Sequence, residues 1–470
     1  MLFYLCGSWQ QRARQIEVVR PFDGQVLDTV PQATAHDVTL AMESLREGAR
    51  QMRALTGSER SAILRRAGQL LQDREAELAQ VISQEEGKIL AEGRLEAARA
   101  RETLDYSADE ARRVCGGMVP LDGAPSGAGR LGFTLWIPCG IVAAITPFNF
   151  PLNLVAHKVG PALAGGNAVL LKPASDTPLS ALKLVEILLE AGLPPLAIAC
   201  LTGPGHELGQ AICTHPLVRK ISFTGSHEIG EAICRMAGVK RVTMELGSNS
   251  PVIVLPDAEL EQAAKLITAS GYSNAGQVCI SAQRVLVVRA VYEDFLDALA
   301  PRVKSLRTGD PLDPATQMGP MVRESDARRV EAWIGEAVAG GARVVAGGGR
   351  EGTLHQPTLL ADVPPAQRVS CEELFGPAVA VTPVADLSEA IELANASRYG
   401  LAASLFTRDL PAAMRFVREV EAGNLHVNWG TQWRADLMPY GGLKDSGLGK
   451  EGPRHAILEM TEEKMVVFHP

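Results

Sequence analysis

Apolar residues recur at helical spacing from Ser58 to about Arg113, as at Ile63, Leu64, Ala67, Leu70 and Leu71, with Glu and Arg between them. A stripe of that period buries one face of a helix, and the stretch predicts two long helices. Gly116, Gly117 and the small residues through Gly129 break the pattern into a loop. Short β-rich runs follow at Ile141–Ile145, Ala168–Leu171, Ile221–Phe223 and Val252–Leu255. A helical stretch from Leu179 to Ala191 lies among them, stopped by Gly192 and Pro194-Pro195. The alternation resumes with a helix near 257–270 and a strand near 284–288, and the cluster at 346–349 reads as a loop. Strands alternating with helices predict an α/β chain with parallel sheets and crossover helices.

One segment reads two ways. Leu131 to Ala156 holds no charged residue and is long enough to span a bilayer as a helix. Pro138, Pro147 and Pro151 interrupt it, however, and Asn149 and Asn153 carry amides that lipid cannot satisfy. A buried strand running into a polar-lined turn is expected instead, with no membrane partner. The apolar start at Met1–Leu5 lacks a basic lead and soon meets Arg12 and Arg14, so it is not read as a secretory signal.

With 470 residues the chain exceeds one ordinary core and predicts two or three domains. A net charge of −8 leaves no basic footprint, so no nucleic-acid partner is expected. Eight cysteines are scattered with no CxxC or CxxH spacing. That argues against a metal site or a disulfide framework and fits a reducing compartment, the cytoplasm.

Cys279 follows Gly276-Gln277-Val278, Glu245 stands in Met244-Glu245-Leu246-Gly247, and Asn149 in Thr146-Pro147-Phe148-Asn149-Phe150-Pro151. Taken singly, each has a bland explanation: a small core thiol, a surface carboxylate, a turn-capping amide. Together they supply a nucleophile, a base and an amide donor, the groups that attack a carbonyl, stabilise the oxyanion and hydrolyse an acyl-enzyme. Lys172 follows a strand and precedes a helix, where α/β folds gather ligand-binding groups. Gly225-Ser226-His227-Glu228-Ile229-Gly230 occupies a similar strand-to-helix turn, where backbone N–H groups can approach a phosphate. Its spacing is not GxGxxG, so it is no generic dinucleotide fingerprint.

With Glu372-Glu373-Leu374-Phe375-Gly376-Pro377 and the glycine-rich run Gly441–Gly447, these motifs stand in one order over nearly the whole chain, which resembles the aldehyde dehydrogenase superfamily. The resemblance implies two doubly wound Rossmann-like domains and a small β oligomerisation arm. The coenzyme domain would comprise 1–118 and 139–247, the catalytic domain 248–450, and the arm 119–138 and 451–470. It implies Cys279 as nucleophile, Glu245 as the base for deacylation, and Asn149 with the Cys279 backbone N–H as the oxyanion hole. It further implies that Thr146, Pro147, Phe148, Lys172, Ser175, Gly225, Ser226, Gly230, Leu246, Glu373 and Phe375 bind the coenzyme, and that the protein is a homodimer or homotetramer.

NAD-specific relatives often carry Glu three residues after the lysine; this chain has Ser175, with Asp176 beside it. NAD or NADP is therefore expected, NADP or dual use slightly favoured. The motifs around Asn149 and Glu245 look most like the lactaldehyde and non-phosphorylating glyceraldehyde-3-phosphate dehydrogenase branch. Relatives acting on phosphorylated substrates can place Arg before the nucleophile, where this chain has Val278. Arg99, His157 and Arg434 are expected to face a small polar aldehyde, hydroxylated or carboxylated. A CoA-acylating enzyme, a cysteine hydrolase and a non-catalytic protein of the same fold are the alternatives.

Overall fold

The computed structural model describes residues 1–469 and contains two large sheets. In the first, five parallel strands form the centre, in the order Ile198–Cys200, Ala168–Lys172, Ile141–Ile145, Val218–Thr224 and Arg241–Glu245. From Ile141–Ile145 the chain steps outward to one side, then returns to build the other. The strand order therefore reverses between Ile141–Ile145 and Val218–Thr224, and open α/β sheets bind ligands at the carboxyl ends of strands flanking such a point. Ile145 pairs with Lys172 and Phe223, and Thr224 with Glu245, so this register alone aligns Thr146, Lys172, Gly225 and Glu245 along one edge.

The second sheet runs Arg343–Ala346, Thr358–Ala361, Ala378–Val384, Arg284–Val288, Pro251–Val254, Ala402–Phe406 and Asn424–Val427, parallel except at its first pair. Its buried strands are runs of Val, Ile, Leu and Ala, as expected of strands covered on both faces. A third, small sheet pairs Leu131–Pro138 with Thr461–Phe468 and Met118–Val119. The uncharged segment thus resolves into the strands Leu131–Pro138 and Ile141–Ile145, a turn, and the start of a helix at Asn153. No helix among the described residues is long and apolar enough to cross a membrane.

The helical region departs from the sequence expectation. Three helices, Gly57–Asp73, Glu75–Glu86 and Leu90–Ala111, stand where two were predicted. Gly87 at φ +96 ends the second in the left-handed region, a break that the apolar spacing alone does not report. An earlier helix, Ala35–Ala54, was not predicted; Thr34 and Asp37 form a capping box at its start, and Val38, Ala41, Met42, Leu45 and Met52 are its buried stripe. The segment 248–450 also crosses back: Gly447–Leu448 adds to the first sheet as an antiparallel edge beside Arg241–Glu245.

Candidate functional site

The ligand edge of the first sheet carries groups that fit a dinucleotide. Lys172 is buried, its Nζ donates to the Pro173 carbonyl at 3.0 Å, and burial lowers its pKa to about 8 against the pull of Asp176. The buried hydroxyls of Thr146 and Thr224 have no partner among the described residues. Ser226 begins the helix His227–Ala237 without a side-chain cap, which leaves first-turn N–H groups to a ligand. A Cβ at Gly225 would lie 2.5 Å from the Phe223 ring, and one at Gly230 would lie 2.4 Å from Leu246, so close packing holds this turn to glycine. Ser175 donates to the Gly203 carbonyl at 3.0 Å, and Asp176 is gripped at both oxygens by Arg323.

From this edge a cavity of about 170 Å³ runs between the sheets, lined by Pro147, Asn149, Gly225, Glu245, Leu246, Cys279, Glu373, Phe375, Arg99 and Arg434. Thr146, Phe148, Lys172, Ser175, Ser226 and Gly230 lie outside its lining. Phe148 is nevertheless tied to it, meeting Phe375 edge-on at 5.9 Å between centroids. Glu373 accepts from the Ser248 N–H at 3.0 Å, and burial raises its carboxyl to about 7.

The loop before Cys279 is strained. Asn274, Ala275 and Gly276 all have positive φ, at 51°, 51° and 69°. A Cβ at Gly276 would sit 2.1 Å from the Gly376 carbonyl oxygen, so glycine is required twice over. The Cys279 Sγ lies 3.6 Å from the Tyr440 hydroxyl. Burial pushes the thiol up to about 12, and that hydrogen bond opposes it. Asn149 Nδ2 donates to the Gln277 carbonyl at 2.9 Å, while its Oδ1 is buried without a partner. Both Glu245 oxygens are likewise buried and unpartnered. Burial first, then the nearby Glu451, raise the Glu245 carboxyl well above its ordinary range.

Arg99 and Arg434 meet at Asp436. Arg99 binds it through Nε at 3.0 Å and Nη2 at 2.7 Å, and Arg434 Nε lies 3.7 Å from Oδ1. His157 Nε2 is 2.8 Å from the same oxygen, and Arg434 Nη2 is 3.3 Å from His157 Nδ1. Burial and Arg434 lower the His157 pKa, so the ring is neutral, donates from Nε2 and accepts at Nδ1. The sequence had suggested that His157 faces the substrate entrance; it is instead fully buried behind the cavity wall. Its position fits a neighbour that orients Asp436. Glu451 accepts from Lys158 Nζ at 2.8 Å and lies 3.4 Å from Arg434. Burial would raise Glu451, but these two cations hold it at about 2.

Tyr440, Asp436, Glu451, Lys158, Lys88 and its ion-pair partner Glu96 were not singled out from the sequence. A signal was available for some. Glu96 interrupts the buried face Gly93, Ala97, Ala100, Leu104 with a carboxylate, and Tyr440 adjoins the glycines of 441–442.

Comparison with known proteins places the chain in a family. The family model described as "Aldehyde dehydrogenase family" matches residues 9–466. The chain is 45% identical over 466 residues to a 3-sulfolactaldehyde dehydrogenase of Priestia aryabhattai, covering 99% of this chain and 97% of that protein. It is 38% identical to the NADP⁺ succinate-semialdehyde dehydrogenase of Escherichia coli K12, covering 97% and 95%. The crystal structure of a glyceraldehyde-3-phosphate dehydrogenase from Methanocaldococcus jannaschii, complexed with NADP, superposes with a TM-score of 0.94 at 33% identity, covering 97% of this chain and all of that one.

Proposed function

The chain belongs to the aldehyde dehydrogenase family and is an NAD(P)-dependent oxidoreductase of small aldehydes, and on that premise we propose that its substrate carries an anionic group beside the aldehyde. The observation behind this is the pair Arg99 and Arg434, both lining the cavity that holds Cys279, while Asp436, which aligns them, lies outside the lining. Asp436 takes the Nε and Nη2 of Arg99, which leaves Nη1 to donate to a carboxylate or sulfonate. Two of the relatives named above are dehydrogenases of sulfolactaldehyde and succinate semialdehyde, and the third of glyceraldehyde 3-phosphate, all short aldehydes with an anionic end. Val278, where an arginine would serve a phosphate, is consistent with an anion of lower charge.

Within that reading Cys279 is the nucleophile. Glu245, free of any partner, accepts the thiol proton directly or through water, and Sγ adds to the carbonyl to give a thiohemiacetal. Asn149 Nδ2 turns from Gln277 to the developing oxyanion, joined by the Cys279 backbone N–H. The nicotinamide, when bound, is the hydride acceptor. Glu245 gives up the thiol proton to solvent and then takes a proton from the water that attacks the thioester; the C–S bond breaks, freeing the acid and the Cys279 thiolate. Lys158 and Arg434 keep Glu451 ionised, and that charge holds Glu245 basic enough for both proton transfers.

Residues 1–118 and 139–247 make the coenzyme domain, residues 248–450 the catalytic domain, and 119–138 with 451–470 the arm. The arm sheet exposes Leu131, Leu135 and Phe468 on one face and Met465 and Val467 on the other, apolar surface that suits pairing with a second copy, in a homodimer or homotetramer. Free thiols at all eight cysteines suit the cytoplasm. The test is coenzyme reduction with NAD⁺ and NADP⁺ against 3-sulfolactaldehyde, succinic semialdehyde and neutral lactaldehyde, with Cys279→Ala as control. Preference for the two anions supports the proposal, equal or better turnover of lactaldehyde overturns it, and product formation only with CoA would replace hydrolysis by acyl transfer.

A further inference from the structure

We propose that Lys88 is a positioning residue for the reaction: its ammonium fixes the backbone of Asn149 and so aims the Asn149 amide beside Cys279. The inference rests on Asn149 serving as the oxyanion donor.

Lys88 stands in the tight connection between Glu75–Glu86 and Leu90–Ala111 and is 1% exposed. A buried ammonium is costly unless all of its donors are used. Here Nζ donates to Glu96 Oε2 at 2.7 Å and to the Asn149 carbonyl at 2.7 Å, and it lies 4.0 Å from the centroid of the Phe150 ring. Both oxygens of Glu96 are occupied, because Oε1 accepts from the N–H groups of Leu152 at 2.9 Å and Asn153 at 3.1 Å. One buried ion pair thus clamps the turn 149–153 at both ends.

The same helical hairpin holds the nucleophile loop. Glu86 accepts from Asn274 Nδ2 at 2.8 Å, and Glu92 accepts from the Asn274 N–H at 3.0 Å and from Ser273 Oγ at 2.7 Å. Asn274 Nδ2 also reaches the Asn149 carbonyl at 3.3 Å. The amide donor and the thiol, which lie on different domains, are therefore set against one frame. The Asn149 side chain has a single partner, the Gln277 carbonyl, so its aim depends on where its own main chain is held. Lys88 supplies the shorter of the two bonds that hold it.

The experiment compares wild type, Lys88→Met, Lys88→Arg, Asn149→Ala and the double variant Lys88→Met/Asn149→Ala, with succinic semialdehyde and NADP⁺ as probes. Asn149→Ala loses about 10²–10³ in kcat, the usual effect of one oxyanion donor. Lys88→Met loses about 10- to 100-fold in kcat, the scale of a misplaced catalytic group. The KM for NADP⁺ is unchanged, and Lys88→Arg recovers part of the rate. The double variant is no slower than Asn149→Ala, because Lys88 acts through that amide. An unchanged kcat in folded Lys88→Met, or losses that multiply in the double variant, overturns the proposal. If Lys88→Met does not fold, Glu96→Gln carries the same comparison, since it keeps the acceptor for Leu152 and Asn153 while removing the charge that anchors Lys88. An Asn149→Ala variant with full activity sinks the oxyanion assignment itself, whatever Lys88 does.

Discussion

The thiol of Cys279 has one polar side-chain partner, the hydroxyl of Tyr440 at 3.6 Å, and Tyr440 in turn carries the Arg434 guanidinium 3.9 Å from its ring centroid. No base touches the thiol in this arrangement, and burial holds it protonated, up at about 12. The protein without coenzyme is therefore expected to resist alkylation by iodoacetamide at neutral pH, with a rate that climbs as pH rises past 9. Tyr440→Phe removes the one hydrogen bond that favours the thiolate and slows alkylation about fivefold, the equivalent of a ~1 kcal/mol bond. Fast alkylation at pH 7 that ignores Tyr440→Phe would contradict this arrangement.

Glu245 acts as a base only when ionised, and burial with the neighbouring Glu451 charge raises its carboxyl well above the ordinary range. Turnover should therefore rise with pH through a limb lying above ~4.3, the usual glutamate value. Glu245→Gln removes that limb and slows steady-state turnover by about 10²–10⁴. Because Glu245 also takes the thiol proton, the burst of one equivalent of reduced coenzyme should still form, but more slowly than in the wild type. A burst at the wild-type rate would restrict Glu245 to deacylation.

Glu451 gives a pH dependence of stability with the opposite sign. Lys158 and Arg434 overcome its burial and hold its folded pKa at about 2, below the ordinary 4.5. A carboxylate depressed on folding contributes stability that is full above its unfolded pKa and is lost as pH falls through the folded one, here between 4.5 and about 2. The Tm of the wild type should drop across that window, and Glu451→Gln should flatten the drop. The variant should also be less stable at neutral pH by roughly 3 kcal/mol, since it leaves Lys158 buried without its counter-charge. Removal of the Glu451 charge should in addition lower the activity limb assigned to Glu245.

Much of this site was legible because its chemistry is local in sequence. Cys279, Glu245 and Asn149 each sit in a short glycine- or proline-marked turn, and the strands Ile141–Ile145 and Arg284–Val288 have the bounds that their β-rich runs predict. What stayed hidden depends on distance along the chain. Asp436 orients Arg99 across 337 residues and His157 across 279, and neither partner carries a local signature. For the same reason His157 read as a substrate contact, since a histidine before a lysine on an apolar helix does not reveal which wall it lies behind. The break at Gly87 was missed because amphipathic spacing continues on both sides of it, and only the left-handed φ shows that the helix stops.

An ion pair that spans the chain offers a test of coenzyme choice. Asp176 would place a carboxylate near Lys172, where it opposes the fall of that lysine's pKa, but Arg323 binds both of its oxygens. Arg323→Ala frees that carboxylate and should raise the KM for NADP⁺ while leaving that for NAD⁺ nearly unchanged. Asp176→Asn should move the ratio the other way. A partly exposed pair is screened and contributes at most ~1 kcal/mol, so the expected change is about fivefold and should shrink as salt is added. Equal effects on both coenzymes would show that the pair only ties the domains together.

Arg99 offers the most direct test of the substrate class. Its guanidinium is partly exposed, lines the cavity and is held by Asp436 through two bonds. A substrate anion that reaches it gains a charge-assisted hydrogen bond worth about 1.5–3 kcal/mol. Arg99→Met should therefore raise the KM for succinic semialdehyde and 3-sulfolactaldehyde by roughly 10- to 100-fold and leave lactaldehyde within about twofold. The variant also releases Asp436, a buried carboxylate that Arg99 and His157 keep ionised, so a parallel Asp436→Asn variant separates the two effects. If Arg99 binds the substrate anion, Arg99→Met is selective for anionic aldehydes, whereas Asp436→Asn, which disturbs both arginines, costs more on the anions and also slows lactaldehyde. Loss of activity on all three aldehydes alike in Arg99→Met would leave Arg99 as a structural clamp and remove the main support for an anionic substrate.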